Sequence, residues 1–530
     1  MSAHLKPLLR TASLCVVWSA ALAATAGAVM PVVAAELTND RVDIASTGAL
    51  ALQAGPAAEP LLDQATGTAG LQALPMESAA DSVTGTQLAQ FQLPKASSGE
   101  PGSPDAPRYP ERPLIQYLKY QFSYGSESDI TYRRNPDLDK RLRDNSLILA
   151  PQVNGSVIYR PNARLEMMLE LILEREVAAS EQGVVTLPSG QTHITPRRRA
   201  SLLVDQAWVK FKELGPFEMT LGRRNFEDGR HWLYDTSLDT AFVKFKQGAY
   251  QAELSVSRKD RLDLDLFAPV QKTRTDNYMF YLDYRGIEDI KVAGYTIARN
   301  DRTGKEGKPL HLGLRAYGMP SDRFNFWTEL ALLRGKDAAQ KNFRAHAFDV
   351  GATYRFPALP YTPNITLGYA YGSGDDKPND SVNHEFRQTG LQSNEGKFGG
   401  IPNLKYYGET FDPELSNLQL LTAGLGFRPA PNISVDLVYH HYRLNKIADE
   451  IRNSALTAQI NQDDARLSKN AGHALDVVLG FRNLFGVRRL GLDVRAGLFF
   501  PGKAFRNEDP VTGEFRNANK SMSVLAKIWF

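Results

Sequence analysis

The sequence predicts an all-β protein, an antiparallel transmembrane β-barrel of about 18 strands. Three observations support this. Side chains alternate with a period of two from residue 114 onward. The connections between alternating segments take turns between short and long. The last alternating segment stops on the C-terminal Phe530.

Leu118, Tyr120, Phe122 and Tyr124 alternate with Lys119, Gln121 and Ser123. Tyr278, Phe280, Leu282 and Tyr284 alternate with Asn277, Asp283 and Arg285. Ile433, Val435, Leu437 and Tyr439 do so with Ser434, Asp436 and His440, and Leu490, Leu492, Val494, Ala496 and Leu498 with Asp493 and Arg495. In a strand each set occupies one face. A soluble sandwich has the same two faces, so the connections must decide. Candidate strands begin near residues 114, 146, 163, 201, 217, 241, 250, 276, 289, 311, 324, 344, 364, 418, 432, 472, 489 and 521. The segment 164–174 also fits helical spacing through Leu165, Met168, Leu169 and Ile172; its neighbours favour a strand.

Short turns fall at 160–163, 214–216, 247–249, 286–288, 320–323, 357–363, 429–432 and 483–488. Long polar segments fall between them, at 125–145, 176–199, 224–240, 257–277, 298–310, 335–343, 372–416, 443–472 and 501–520. Strict alternation gives an even strand number and puts both chain ends on the short-turn side. In outer-membrane barrels that side is periplasmic. In the last strand Met522, Val524, Ala526, Ile528 and Phe530 alternate with Ser521, Ser523, Leu525, Lys527 and Trp529. Pairing it with the first strand removes an edge that lipid cannot satisfy.

Composition agrees. The 530 residues are 42% hydrophobic and 10% aromatic, yet mean hydropathy is −0.34. Half of each barrel strand faces water, which explains the combination. Beyond the N-terminus no 18-residue apolar run occurs, which excludes a bundle of membrane helices. Basic and acidic residues nearly cancel, 62 against 59, so no nucleic-acid partner is expected. Lys6 and Arg10 precede an apolar run over 14–35 that ends Val33-Ala34-Ala35. Residues 1–35 therefore read as a signal peptide, with the single Cys15 inside it and no disulfide framework. Residues 36–112, rich in Ala, Gly, Gln, Ser and Pro, read as a disordered periplasmic tail. Residues 113–530 form the barrel. A monomer surrounded by the lipid of a Gram-negative outer membrane is expected.

Barrels of 16–18 strands leave an aqueous lumen, so transport is the expected function. Inward positions include Lys119, Lys210, Lys244, Lys246, Arg285, Lys291, Arg315, Arg355, Arg495 and Lys527, together with Asp283, Glu329, Asp436, Asp476 and Asp493. Mixed charges can simply wet a lumen, or they can form a path for an anionic solute.

Phe386-Arg387-Gln388-Thr389-Gly390-Leu391-Gln392-Ser393-Asn394, then Phe398, Gly408-Glu409 and Pro413-Glu414-Leu415-Ser416-Asn417-Leu418, resembles the signature of the alginate export porins. Gly222-Arg223-Arg224 with Glu227-Asp228, Trp232 and Asp235-Thr236 resembles a second motif of that family. Leu437-Val438-Tyr439-His440, Leu475-Asp476-Val477-Val478 and Arg495-Ala496-Gly497-Leu498-Phe499 with Pro501-Gly502 resemble later strands. The resemblance implies an 18-stranded outer-membrane barrel that passes an anionic polysaccharide, a polyuronate, from periplasm to exterior through an arginine-lined lumen. It also implies a periplasmic secretion-complex partner. On the motif matches, Arg223, Asp235, Asp263 and Arg495 line the path, and Lys405 substitutes for one more basic residue. Guanidinium pairs bidentately with carboxylate, and a relay of weak sites lets a polyanion slide.

There are departures. Asn225, Glu395 and Asp493 stand where the family places arginines, and the turn at 483–488 is short where the alginate porin carries a long plugging loop. Another exopolysaccharide, or small anionic solutes, are the alternative cargo. A lipid hydrolase in barrel form is a weaker reading. The sequence shows no Gly-x-Ser-x-Gly elbow, no His-Glu-x-x-His helix and no Cys/His metal spacing. His440 and His441 point to opposite faces of one strand. No cofactor, metal or enzymatic activity is expected.

Overall fold

The computed structural model describes residues 114–117, 119–141, 144–180, 197–262, 264–268, 274–509 and 512–530. The expected signal peptide over 1–35, the tail over 36–112 and Asp263 lie outside the described residues.

The eighteen barrel strands are β1 Tyr120–Arg134, β2 Ser146–Asn162, β3 Leu165–Ser180, β4 Arg197–Leu214, β5 Phe217–Glu227, β6 Asp235–Gln247, β7 Tyr250–Arg258, β8 Thr275–Ile287, β9 Ile290–Asp301, β10 Lys308–Ser321, β11 Phe324–Lys336, β12 Ala345–Arg355, β13 Asn364–Gly372, β14 Leu418–Ala430, β15 Ile433–Leu444, β16 Asn470–Arg482, β17 Gly491–Pro501 and β18 Ser521–Trp529. Each pairs antiparallel with its sequence neighbours. The ring closes through β1 and β18, from Glu127↔Trp529 to Arg134↔Met522. The segment with helical spacing, 164–174, lies in β3, where Leu169 and Leu173 face outward and Met168, Glu170 and Ile172 are buried.

Outward positions carry the exposed apolar side chains, such as Tyr278, Phe280 and Leu282 on β8 and Leu421 and Leu425 on β14. Inward positions carry Glu329, Asp349, His440, Asp476 and Asp493. The period-two pattern therefore marks which face meets lipid and which meets the lumen.

The seam has an added piece. β18 ends opposite Glu127, and Phe530 exchanges backbone hydrogen bonds with Ser126 at 2.9 and 3.1 Å. Below that point the β1 edge pairs with the short strand Leu114–Tyr117, in register Leu114↔Ser123 to Tyr117↔Tyr120.

Candidate functional site

Two segments leave the wall and fold into the barrel. The first is the upper part of the β5–β6 hairpin. β5 and β6 pair with each other from Phe217↔Phe245 up to Glu227↔Asp235. Yet β5 stops pairing with β4 at Arg223, and β6 stops pairing with β7 at Asp239. The β4 edge left open is taken by the β7–β8 connection: Val204 N–H donates to the Leu264 carbonyl (2.9 Å), and Leu266 N–H to that of Leu202 (2.8 Å). Freed on both sides, residues 224–238 turn inward, where the Asp235 N–H donates to the Leu391 carbonyl (2.7 Å).

The second segment is the connection 373–417 between β13 and β14. Its foot touches residues near the short-turn ends of the wall. Gly399 and Gly400 pack against Asn364 and Asp436 so closely that a side chain at either would collide with them. The Ile401 N–H donates to Ser434 Oγ (2.9 Å). Since β13 has 9 residues, the loop descends about 30 Å of strand at about 3.3 Å per residue.

The two segments lock together through the residues that carry the family resemblance. Trp232 Nε1 donates to the Tyr407 hydroxyl (2.8 Å), and that hydroxyl donates to Asp349 (3.1 Å) on β12. Thr389 Oγ1 donates to the Leu233 carbonyl. Gln388 exchanges side-chain hydrogen bonds with Asn394 at 2.9 Å. Arg230 pairs with Asp349 (3.2 Å) and lies over the rings of Trp327 (4.8 Å) and Tyr406 (4.9 Å). Phe226, Trp232, Phe386, Phe398, Phe411 and Tyr442 belong to one buried cluster inside the barrel. The block that carries the family resemblance thus builds a packed support, and a group of charges lies against it.

Three of the expected path residues converge there. Lys405 Nζ lies 3.0 Å from Asp412 and 3.3 Å from Glu395. Arg495 reaches Glu395 and Glu409, each at 3.5 Å. Asp235 lies 3.3 Å from His231, which also meets Glu227 at 3.0 Å. The Ser393 carbonyl ties the groups together, accepting from Lys405 Nζ at 3.0 Å, while Ser393 Oγ lies 3.4 Å from His231 Nδ1. On the wall beside them, Lys527 pairs with Glu127 (2.8 Å) and Asp129 (3.5 Å).

The loop groups have perturbed acidities. Burial pushes Glu395 up, but Arg495, Lys405 and Lys527 outweigh it and hold the carboxyl at about 2. Burial pushes Glu409 up to about 7, against the pull of Arg495. For His231, burial is outweighed by Asp235 and Glu227, which hold the imidazole charged well above its ordinary range.

Arg223 is placed elsewhere. It is fully buried and shares the register face of Leu221, which is exposed on the outer wall. Its guanidinium donates to Asp239 at 2.8 and 3.0 Å and to the carbonyls of Val204, Lys259 and Leu262. It anchors the point where the hairpin departs and does not face the lumen. The adjacent Arg224 does, lying 3.9 Å over the Phe242 ring and 5.0 Å over that of Phe226. A step of one residue changes the face, so Arg223 and Arg224 point to opposite sides of the wall. Strand parity, counting from the outward Leu221, would have found Arg224.

The turn between β16 and β17 is short, as expected, spanning 483–490. Arg315 and Glu329, both expected inward, are fully buried in a mutual ion pair, and Arg315 also meets Asp228 at 2.7 Å.

Known proteins resemble this chain in both sequence and fold. The chain matches the family model described as Alginate export over residues 115–519. It is 25% identical over 361 residues to Alginate production protein AlgE of Pseudomonas aeruginosa, covering 58% of this chain and 71% of that one. It is 26% identical over 157 residues to the protein of that name from Azotobacter vinelandii, covering 27% and 32% respectively. Among solved structures, OccK7 (OpdD) of Pseudomonas aeruginosa is similar with a TM-score of 0.50 at 12% identity, over 78% of this chain and 99% of that one. That likeness concerns the fold. With the closed 18-stranded barrel, these matches establish that the chain belongs to the alginate-export family of outer-membrane channels.

Proposed function

We propose that this chain passes a polyuronate of the alginate kind outward across the outer membrane, with the short-turn end and both termini in the periplasm. One observation supports this beyond family membership: Lys405, Arg495, Asp235 and Glu395 converge where the infolded segments meet the wall. Cations there engage carboxylates of the protein at 3.0–3.5 Å. A uronate carboxylate can exchange with those partners one sugar at a time. Acids next to bases keep each stop shallow, and conduction requires that binding be weak enough to release.

The acids at Glu395 and Asp493 favour a second reading, a path that also admits small anions or another acidic polymer. No bond-making step is part of the proposal. Thr422, His440 and Asp476 stand in line, with Thr422 Oγ1 3.0 Å from His440 Nδ1 and His440 Nε2 3.3 Å from Asp476. All three are at most 5% exposed, and Gly408 and Tyr442 cover the histidine, so no substrate reaches the hydroxyl.

Planar-bilayer recording tests the proposal. Anion-preferring current that oligomannuronate blocks supports the polyuronate. Small-anion current without such block supports the second reading. Cation preference, or block by neutral glycans alone, contradicts both.

A further inference from the structure

A second group of cations stands lower in the lumen, at the short-turn end. Lys397 lies at the foot of the infolded loop, Arg428 near the lower end of β14 and Arg482 at the lower end of β16. Arg482 is already engaged. It donates to Asp493 at 2.6 and 3.3 Å and lies 4.4 Å over the Trp529 ring.

Lys397 and Arg428 are different. Arg428 makes one hydrogen bond, from Nη2 to the Gly399 carbonyl at 3.1 Å. Neither side chain has a carboxylate within 4.0 Å among the described residues. The nearby acids are otherwise placed: Asp493 is held by Arg482, and Asp436 is 2% exposed and wedged against Gly400. Both cations flank Gly399, one two residues before it in the chain and the other bonded to its carbonyl, and Lys397 lies close enough to Arg428 and Arg482 to feel their charge. Two partly buried cations without a contacting anion are costly, and an incoming carboxylate relieves that cost. The Lys397 ammonium is pushed down to about 8 by burial and by the positive Arg482 and Arg428, against the pull of Asp493.

We propose that Lys397 and Arg428 form a carboxylate-binding site at the short-turn mouth, which takes a uronate group of the polymer before it reaches Lys405 and Arg495. This site rests on the polyuronate reading above. Arg428 keeps guanidinium donors unspent for a two-point contact, and Lys397 supplies a point charge. Glu395 then belongs to the upper stop, between Lys405 and Arg495, and Asp493 to the lower one, held by Arg482.

The test uses single channels of the full chain in planar bilayers, with trimannuronate added to one compartment at a time. In the wild type, trimannuronate blocks from both sides, and more tightly from the short-turn side. Lys397→Gln breaks no hydrogen bond and should weaken block from that side about tenfold, leaving block from the other side within about twofold. K397R should keep wild-type block, and K397Q/R428Q should remove the sidedness. Lys397→Met serves as a second neutral variant if K397Q does not give a folded band that resists detergent. Equal, two-sided block in K397Q, K397M and wild type overturns this site and leaves the export reading standing. A wild-type channel that trimannuronate blocks from neither side overturns the export reading itself.

Discussion

Arg223 and Asp239 meet in a two-point ion pair, at 2.8 and 3.0 Å, where the β5–β6 hairpin leaves the barrel wall. Asp239 also accepts the Leu262 N–H at 2.8 Å, so the same carboxylate secures the segment that replaces the hairpin against β4. Removing one partner strands a buried charge. R223L or D239L should therefore cost about 3–5 kcal/mol, while R223M/D239L should recover most of that loss. The urea midpoint of the detergent-resistant folded band is the measurement. Equal midpoints for the single variants and wild type would remove the pair from its anchoring role.

The charge balance around Glu395 should set ion preference. Its carboxylate lies between Lys405 (3.3 Å) and Arg495 (3.5 Å). Glu395→Gln frees positive charge and should raise the anion-to-cation permeability ratio. Arg495→Glu should lower it by roughly tenfold, equivalent to about 1.4 kcal/mol. Reversal potentials in a salt gradient report both, and an unchanged ratio in R495E would exclude Arg495 from the path.

Selectivity should also depend on pH through Glu409. Burial raises this carboxyl to about 7, so it is neutral below that and charged above. Because its folded value is raised, its contribution to stability is complete below the unfolded carboxyl range and disappears as pH rises through about 7. The same ionisation adds a negative charge beside Arg495, so anion preference should fall between about pH 6 and 8. Lys397 loses its charge near 8 and acts in the same direction. Glu409→Gln should abolish the earlier step and leave the later one. A reversal potential in E409Q with the wild-type pH profile would contradict this assignment.

The seam offers a fourth prediction. The strand Leu114–Tyr117 satisfies the β1 edge from Tyr120 to Ser123 that β18 does not reach. A chain from which residues 36–117 are deleted should still close from Glu127 upward but leave open polar groups below. Each buried backbone group left unpaired costs about 1–3 kcal/mol. The folded fraction after refolding into detergent should drop, and a full yield would show that the segment is dispensable.

Much of the fold was legible because the bilayer imposes it. Period two follows from one face in lipid and one in water, and the alternating loop lengths from the two sides of the membrane. Observed strand starts at 146, 217, 250, 324, 364, 418 and 521 coincide with those read from the alternation. The larger misses lie where strands leave the membrane. β6 begins at Asp235 instead of near 241, because 224–238 is a hairpin whose apolar side chains, Phe226, Trp232 and Leu238 among them, join the cluster inside the barrel and so carry no lipid-facing alternation. The resemblance points to Asp235, Lys405 and Arg495 as path residues, and the structure places them in one charged group. A motif carries no face, and one residue separates Arg223, which pairs with Asp239, from the lumenal Arg224. Lys397 and Arg428 belong to no motif, and only the descent of the loop to Asn364 and Asp436 brings them together.

Release from sealed vesicles tests the central claim most directly. Proteoliposomes holding labelled oligomannuronate and, separately, a neutral malto-oligosaccharide of equal length should release the uronate much faster, with R495E slowing it towards the neutral rate. Equal release of the two sugars, or faster release of the neutral one, would contradict the account.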